Sequence, residues 1–269
     1  MPLRLIHKAA AGAAIELDGI LPAAVRGRPL AEIERLPIWW GNTQVPLAEL
    51  FGVSGQADDG IVLAGDLTGV DGIGRGLEQG WLRIAGPAGH HLGASMTGGE
   101  IHVEGPAGDW AGAEMRGGTI NIAASAGDYL GGAYHGSPRG MTGGTILVGG
   151  QAGDQAARTM RRGLIAVRGN VGAFAGLDMV AGSLLVFGGC GPAAAAGMRR
   201  GTLAVFGPAG PLLPSFRPGS VCQFQFMRLY LRHLQTLGWS VPDACLEARF
   251  RIHHGDLLNG GRGEVLLRD

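Results

Sequence analysis

GASMTGGEIHVEGPAGDWAG (residues 93–112) runs directly into GAEMRGGTINIAASAGDYLG (residues 112–131), and the second stretch repeats the first position by position. The block recurs along the chain. One column reads Leu77, Met96, Met115, Met141, Met160, Met179 and Met198; a second reads Gly80, Gly99, Gly118, Gly144, Gly163, Gly182 and Gly201. Met96 to Met115 is a step of 19, which holds throughout both columns except for one step of 26, from Met115 to Met141 and from Gly118 to Gly144. Two columns with one common irregularity exclude chance similarity. A fixed period of this length marks repeats that bury their apolar side only by stacking on their neighbours.

After the glycine, each block carries an apolar-x-apolar triplet: Leu82/Ile84, Ile101/Val103, Ile120/Ile122, Ile146/Val148, Ile165/Val167, Leu184/Val186 and Leu203/Val205. Spacing of two with β-branched residues predicts strands. Further glycine columns mark corners that need positive φ or close backbone approach. At ~3.3 Å per extended residue, one block makes a closed circuit of three short sides. The expected fold is all-β: a right-handed parallel β-helix of about eight coils. Inward Ile, Val, Leu and Met form ladders, and burying each is worth ~1.5–3 kcal/mol. Raw sheet edges at the ends call for caps.

The expected organisation is a cap over residues 1–59, the repeat over 60–211 and a second cap over 212–269. The first cap carries a strand near residues 3–7 and short helices at 30–36 and 47–51. The second carries a helix over 224–237, with Met227, Leu231 and Leu234 at helical spacing, and strands at 246–252 and 264–267. Both caps are thus small and mixed α/β. The one break in the repeat is GAYHGSPRG, residues 132–140, read as a loop off one corner.

Composition excludes several classes. The 269 residues carry 22 basic and 22 acidic side chains, so binding nucleic acid through bulk charge is not expected. There is no apolar run long enough to span a membrane and no signal-peptide pattern, which points to a cytoplasmic protein. The three cysteines, Cys190, Cys222 and Cys245, have neither metal nor disulfide spacing.

Candidate chemistry sits on the columns. Asp109, Asp128 and Asp154 stack at coil spacing; they read as turn caps accepting backbone N–H rather than as a cation site, because no second oxygen column completes a calcium shell. His91, Trp110, Tyr129, Gln155 and Phe174 form a neighbouring column, read as packing against a cap or partner. The histidines show no HxH, HxxxH or HExxH spacing, so no metal site is expected; His135, on the inserted loop, stands out among them. No nucleophile or paired-carboxylate motif appears. Arg116, Arg161 and Arg199 follow the ladder methionines, Arg162 and Arg200 come next, and Arg139 and Arg158 fall nearby. Such a strip either holds an extended polyanion or an acidic partner face, or is a solvated edge. On the outer face, early coils are polar (Arg83, His102, Asn121) and late coils apolar (Leu147, Leu185, Phe187, Phe206). That apolar patch is a candidate partner interface, with the C-terminal helix as the internal alternative.

The rhythm G-x-x-G-x-x-x-G once per block, with Met-x-x-Gly between, resembles the GXGXG β-helix family. That family includes the C-terminal domain of the glutamate synthase large subunit and the C subunit of formylmethanofuran dehydrogenase. The tail HHGDLLNGGRGEVLL, residues 253–267, is similar to the GD…GxGE ending of the second group. Within that group the chain most resembles the C subunit of the methylotroph formyltransferase/hydrolase complex. The resemblance implies a non-catalytic scaffold for conversion of formyl-tetrahydromethanopterin, via N-formylmethanofuran, to formate. It implies partners: an amidohydrolase-like subunit, a formyltransferase subunit and a further subunit. It implies no cofactor on this chain alone, and methanofuran in the complex, whose glutamyl tail would suit the arginine strip. The alternatives are the C subunit of a molybdenum or tungsten formylmethanofuran dehydrogenase, a stand-alone module for an acidic ligand, or a β-helix enzyme acting alone.

Overall fold

The computed structural model of the chain describes residues 1–8 and 12–269. Its centre is one 13-stranded, mostly parallel sheet. The apolar triplets form its strands: Trp81–Ala85, Glu100–Val103, Thr119–Ile122, Thr145–Val148, Leu164–Val167, Ser183–Val186 and Arg200–Val205. They pair in chain order, and partners stand one block apart: Ile101 opposite Ile120, Ile146 opposite Ile165, Leu184 opposite Leu203. Ile120 faces Ile146 in the same way across the inserted loop. Register is held through the insertion because a slip by one residue would turn every inward side chain outward.

A second track of parallel bridges runs Ala88, Ala107, Ala126, Ala152, Val171, Cys190 and Ala209. At a third corner, the N–H groups of Gly112, Gly131, Ala157, Gly176 and Ala195 donate to Leu92, Ala111, Leu130, Ala156 and Ala175 in the preceding block. The chain thus closes on itself and stacks along three tracks, a β-helix-like all-β fold. One core fills it from Leu3 to Val265. Met96, Met115, Met141, Met160, Met179 and Met198 are fully buried there.

At one end Pro2–His7 extends the large sheet, parallel to Gln56–Ala64, and Phe51–Ser54 closes the edge antiparallel. A four-stranded sheet joins Ile15–Glu16, Pro37–Trp40, Thr43–Pro46 and Val70–Asp71. Short helices occupy Leu30–Ile33 and Leu47–Leu50, where the sequence predicts them. The hairpin Pro37–Trp40/Thr43–Pro46 has no counterpart in the sequence reading, although Gly41-Asn42 between β-prone runs carries a turn signal. At the other end the predicted helix is present as Gln225–Thr236. Residues 246–249 do not join the predicted strand. Leu246 instead ends the short helix Asp243–Leu246, started at Asp243 after Pro242, and the strand is Phe250–Gly255.

The strand Arg262–Arg268 lies parallel to Arg200–Val205, with Gly263 opposite Gly201, Val265 opposite Leu203 and Leu267 opposite Val205. The tail therefore supplies another copy of the repeat strand. The helix lies outside the sheet, where Met227, Leu231 and Leu234 join Leu147, Ala166, Leu185, Ala204 and Leu266 in a second apolar cluster. Burial follows from this cover. Trp81–Ala85 alternates exposed and buried, whereas Leu164–Val167 is buried throughout.

Stacking forces particular glycines. Gly118 has φ +87°, and a Cβ there would meet the Gly99 carbonyl oxygen at 2.6 Å. Gly118→Ala should therefore destabilise by more than ~1 kcal/mol, and Ile146→Ala, in the fully buried ladder, by ~2–5 kcal/mol. Denaturant unfolding checks both.

Candidate functional site

The arginines are placed by the ladder beneath them. Each methionine turns into the core, so the next residues turn out. The N–H groups of Arg116, Arg161 and Arg199 donate to the carbonyls of Met96, Met141 and Met179 in the preceding block, each at 2.8 Å. Arg161, Arg162, Arg199 and Arg200 line one hollow of about 280 Å³, with Val180 and Ala181 between the two pairs. Arg116 and Arg139 line a second, about 340 Å³, with Glu114 and the inserted loop. Arg158 stands apart from both: its Nη1 lies 3.2 Å from His135 Nδ1 and 3.2 Å from Gln155 Oε1. The six arginines lining the hollows are exposed. Among the described residues no carboxylate lies within 4.0 Å of them.

Sequence reading misses one member. Arg262 is exposed and sits opposite Arg200 on the next strand. The signal is there: RGEVLL at 262–267 repeats RGTLAV at 200–205, but the intervening residues 206–261 hide the register.

The aspartate column has a backbone role. Asp109 Oδ1 accepts from Asp128 N (2.8 Å), Asp128 Oδ1 from Asp154 N (2.7 Å) and Asp154 Oδ1 from Ala173 N (2.7 Å). Asp71 continues the column and His90 joins it, its Nδ1 accepting from Asp109 N at 2.9 Å, while on a neighbouring column Ser125 Oγ accepts from Gln151 N and Asn170 Oδ1 from Gly189 N. Each side chain satisfies an N–H of the next block, which otherwise lacks a partner at a tight corner. No group of three His, Cys, Asp or Glu arranged to hold a metal occurs among the described residues.

The aromatic column packs beneath the inserted loop. Trp110 and Tyr129 stack at 4.1 Å and 9°. Tyr134 and His135 fold back over them, His135 meeting both rings edge-on. His91 Nδ1 lies 3.0 Å from the Tyr134 hydroxyl. Burial pushes the His91 pKa down, and Arg75 adds to the effect. Burial pushes the Tyr134 phenol up. His91, Trp110 and Tyr129 all hold φ near +60°, a conformation that costs non-glycine residues energy and is held by the stacked corners.

One expectation is corrected. Leu147, Leu185 and Phe206 are buried, and Phe187 packs against the same cluster. Phe187 and Phe206 stack at 4.8 Å, and Phe206 meets Phe250 edge-on. As a partner interface this patch is already filled. The chain's own helix and tail cover it, because an apolar sheet face next to an amphipathic helix buries both.

The chain matches the GXGXG motif family over residues 70–217. The C subunit of molybdenum-containing formylmethanofuran dehydrogenase 1 from Methanosarcina barkeri is 37% identical over 93 residues, 33% of this chain and 31% of that protein. The corresponding subunit from Methanothermobacter thermautotrophicus is 40% identical over 81 residues, 29% of this chain and 20% of that protein. The alignments therefore span about a third or less of these curated relatives. A chain in the crystal structure of the formyltransferase/hydrolase complex (FhcABCD) from Methylorubrum extorquens, in complex with methylofuran, superposes with a TM-score of 0.93. It is 35% identical, and the match covers 99% of both chains.

Two outcomes test the site's geometry. Asp128→Ala leaves the Asp154 N–H unpaired and should cost ~1–3 kcal/mol, whereas Asp128→Asn keeps the acceptor and most of the stability; chemical denaturation compares them. His91 has a folded-state pKa below its ordinary 6.5, so the unfolded chain takes up the proton first. Stability from neutral His91 is complete above pH 6.5 and falls as pH drops below it; thermal melts of His91→Gln should show a flatter acid limb than the parent. Sequence, register and superposition agree: the chain belongs to the GXGXG family, alongside the C subunit of formylmethanofuran dehydrogenase and a chain of the formyltransferase/hydrolase complex.

Proposed function

We propose that this chain is the scaffold subunit of a formyltransferase/hydrolase complex, without catalytic residues of its own. The observation that carries this reading is the superposition over 99% of both chains on a member of such a complex. It favours the hydrolase-type assembly over the molybdenum dehydrogenase, whose C subunit aligns over only a third of this chain. In this reading the chain winds as a right-handed parallel β-helix of about eight coils, one per block, divided as cap 1–59, repeat 60–211 and cap 212–269. Its partners are an amidohydrolase-like subunit, a formyltransferase subunit and a further subunit of the same complex, in the cytoplasm. Formyl groups pass from tetrahydromethanopterin through a furan carrier to formate on those partners.

The arginine face is the chain's own contribution to ligand handling. Arg161, Arg162, Arg199 and Arg200 in one hollow, and Arg116 and Arg139 in the other, offer cations that no internal carboxylate among the described residues neutralises; Arg158, apart from both, is the outlying member. A carrier with a polyglutamyl tail, methanofuran or methylofuran, supplies matching carboxylates. Guanidinium groups suit carboxylates because their planar donors pair with both oxygens.

Co-expression with the candidate partner subunits tests the assignment: a complex that releases formate only when all subunits are present is expected, and turnover by this chain alone would overturn it. Each exposed guanidinium–carboxylate contact is worth ~0.2–1 kcal/mol. Replacing Arg161, Arg162, Arg199 and Arg200 by Gln should therefore weaken carrier retention on the order of tenfold, measured as carrier co-purified per complex, with assembly unchanged.

A further inference from the structure

The arginine row continues past its larger cluster. The two residues before the repeat glycine run Arg161-Arg162, Val180-Ala181, Arg199-Arg200 and then Gly261-Arg262, because Gly263 stands opposite Gly201 and Arg262 opposite Arg200. Residues opposite each other on parallel strands present their side chains to the same face. Arg262, which is exposed, therefore extends the row by one rung. With rungs ~4.8 Å apart, the row from Arg161 to Arg262 is ~14 Å long.

The tail that carries Arg262 is seated beside the last arginine pair. Asp256 N donates to the Met198 carbonyl at 3.1 Å, and the buried Asp256 carboxylate accepts from Gly197 N at 3.2 Å. Gly263 has no room for a side chain, since a Cβ there would meet Met198 Sδ at 2.7 Å. The strand Arg262–Arg268 then joins three parts of the molecule. Val265 lies in the core, Leu266 in the cluster under the helix Gln225–Thr236, and Arg262 in the arginine row.

One feature of this seat is unfavourable. Arg200 and Arg262 place like charges directly opposite each other, which weakens strand pairing. No acid offsets them: neither enters an ion pair among the described residues. Glu264, two residues on, accepts from Thr202 Oγ1 at 3.4 Å instead. In the free chain the C-terminal strand is held against this repulsion. Carboxylates bound between the two guanidinium groups would turn the repulsion into a bridge.

Taking the arginine face as the site for a polyglutamyl carrier, as read above, we propose that Arg262 is the fifth arginine of its larger cluster, and that an extended polycarboxylate bound across Arg199, Arg200 and Arg262 clamps the C-terminal strand to the repeat. A lone carboxylate is too short for a row of this length, so the occupant is a chain bearing several, laid along the stack. Loading the carrier thereby tightens the strand and the helix packed over it.

The test uses the full chain at low salt with fluorescently labelled hexaglutamate as the probe. Arg262→Gln should weaken hexaglutamate binding by about two- to fivefold, yet raise the thermal midpoint of the ligand-free chain by ~1–3 °C. Hexaglutamate should slow hydrogen exchange over residues 225–236 and 262–268 in the parent and much less in Arg262→Gln. Free glutamate at the same carboxylate concentration should not slow it. Arg217→Gln, at an exposed arginine on another strand of the same cap, should leave the affinity unchanged. Unchanged affinity or a lowered ligand-free midpoint in Arg262→Gln, equal slowing of exchange in variant and parent, equal slowing by free glutamate, or an equal loss of affinity in Arg217→Gln overturns the proposal. Hexaglutamate that does not bind the parent, or that binds a variant carrying both Arg161→Gln and Arg199→Gln as well as the parent, overturns instead the reading of the arginine face on which it rests.

Discussion

Along the stacked walls the backbone finds its partner one block away, while at the corners groups such as the Met96 and Met115 N–H bond within their own block, to Gly93 and Gly112. In a helix the partner is four residues distant, and in a hairpin it lies across a turn. Here the Arg161 N–H reaches the Met141 carbonyl, the Gly131 N–H reaches Ala111, and the Ala107 strand position bridges to Ala126. All three tracks must therefore keep step at once. That requirement explains the glycines, since Gly118 has no room for a Cβ above the Gly99 carbonyl. It explains the aspartates too, whose side chains complete the bonding where a corner turns too sharply for backbone alone.

The same requirement separates structure from interaction. Inward positions are fixed by the ladder, and corners by hydrogen bonding. Only the outward positions remain free to vary in chemistry, and they divide into regions. The late outward column is apolar and is closed by the chain's own helix. The early column is polar and open. The residues after the methionines form an arginine face. Side chains divided in this way present distinct surfaces along one stack, the arrangement on which the proposed scaffold role draws.

Much of this was legible in the sequence because repetition makes each position visible several times. The ladder methionines, the triplet strands, the helix over Gln225–Thr236 and the capping role of Asp128 follow from columns that need no tertiary information. Features that occur once were harder to read. Arg262 belongs to the arginine face, but its strand returns after an excursion that breaks the period. Tyr134 and His135 meet Trp110 and Tyr129 only because the inserted loop folds back, and no spacing rule encodes that. The fate of Leu147 and Leu185 turned on which apolar surface reached them first. The amphipathic helix in the same chain was the nearer one, and sequence alone left that choice open.

The one long step of the repeat, from Ile120 to Ile146, shows how such a chain can change in evolution. The additional residues left the rungs on either side matched, because they bulged out at a corner instead of entering a wall. Lengthening or shortening of the stack itself is quantised: whole blocks can be duplicated or lost with the ladders intact, while a deletion of a few residues within a wall would misalign everything downstream. Genetic drift in this architecture should accordingly concentrate in decorations at one vertex, where novelty is cheap, and leave the bore of the stack almost untouched.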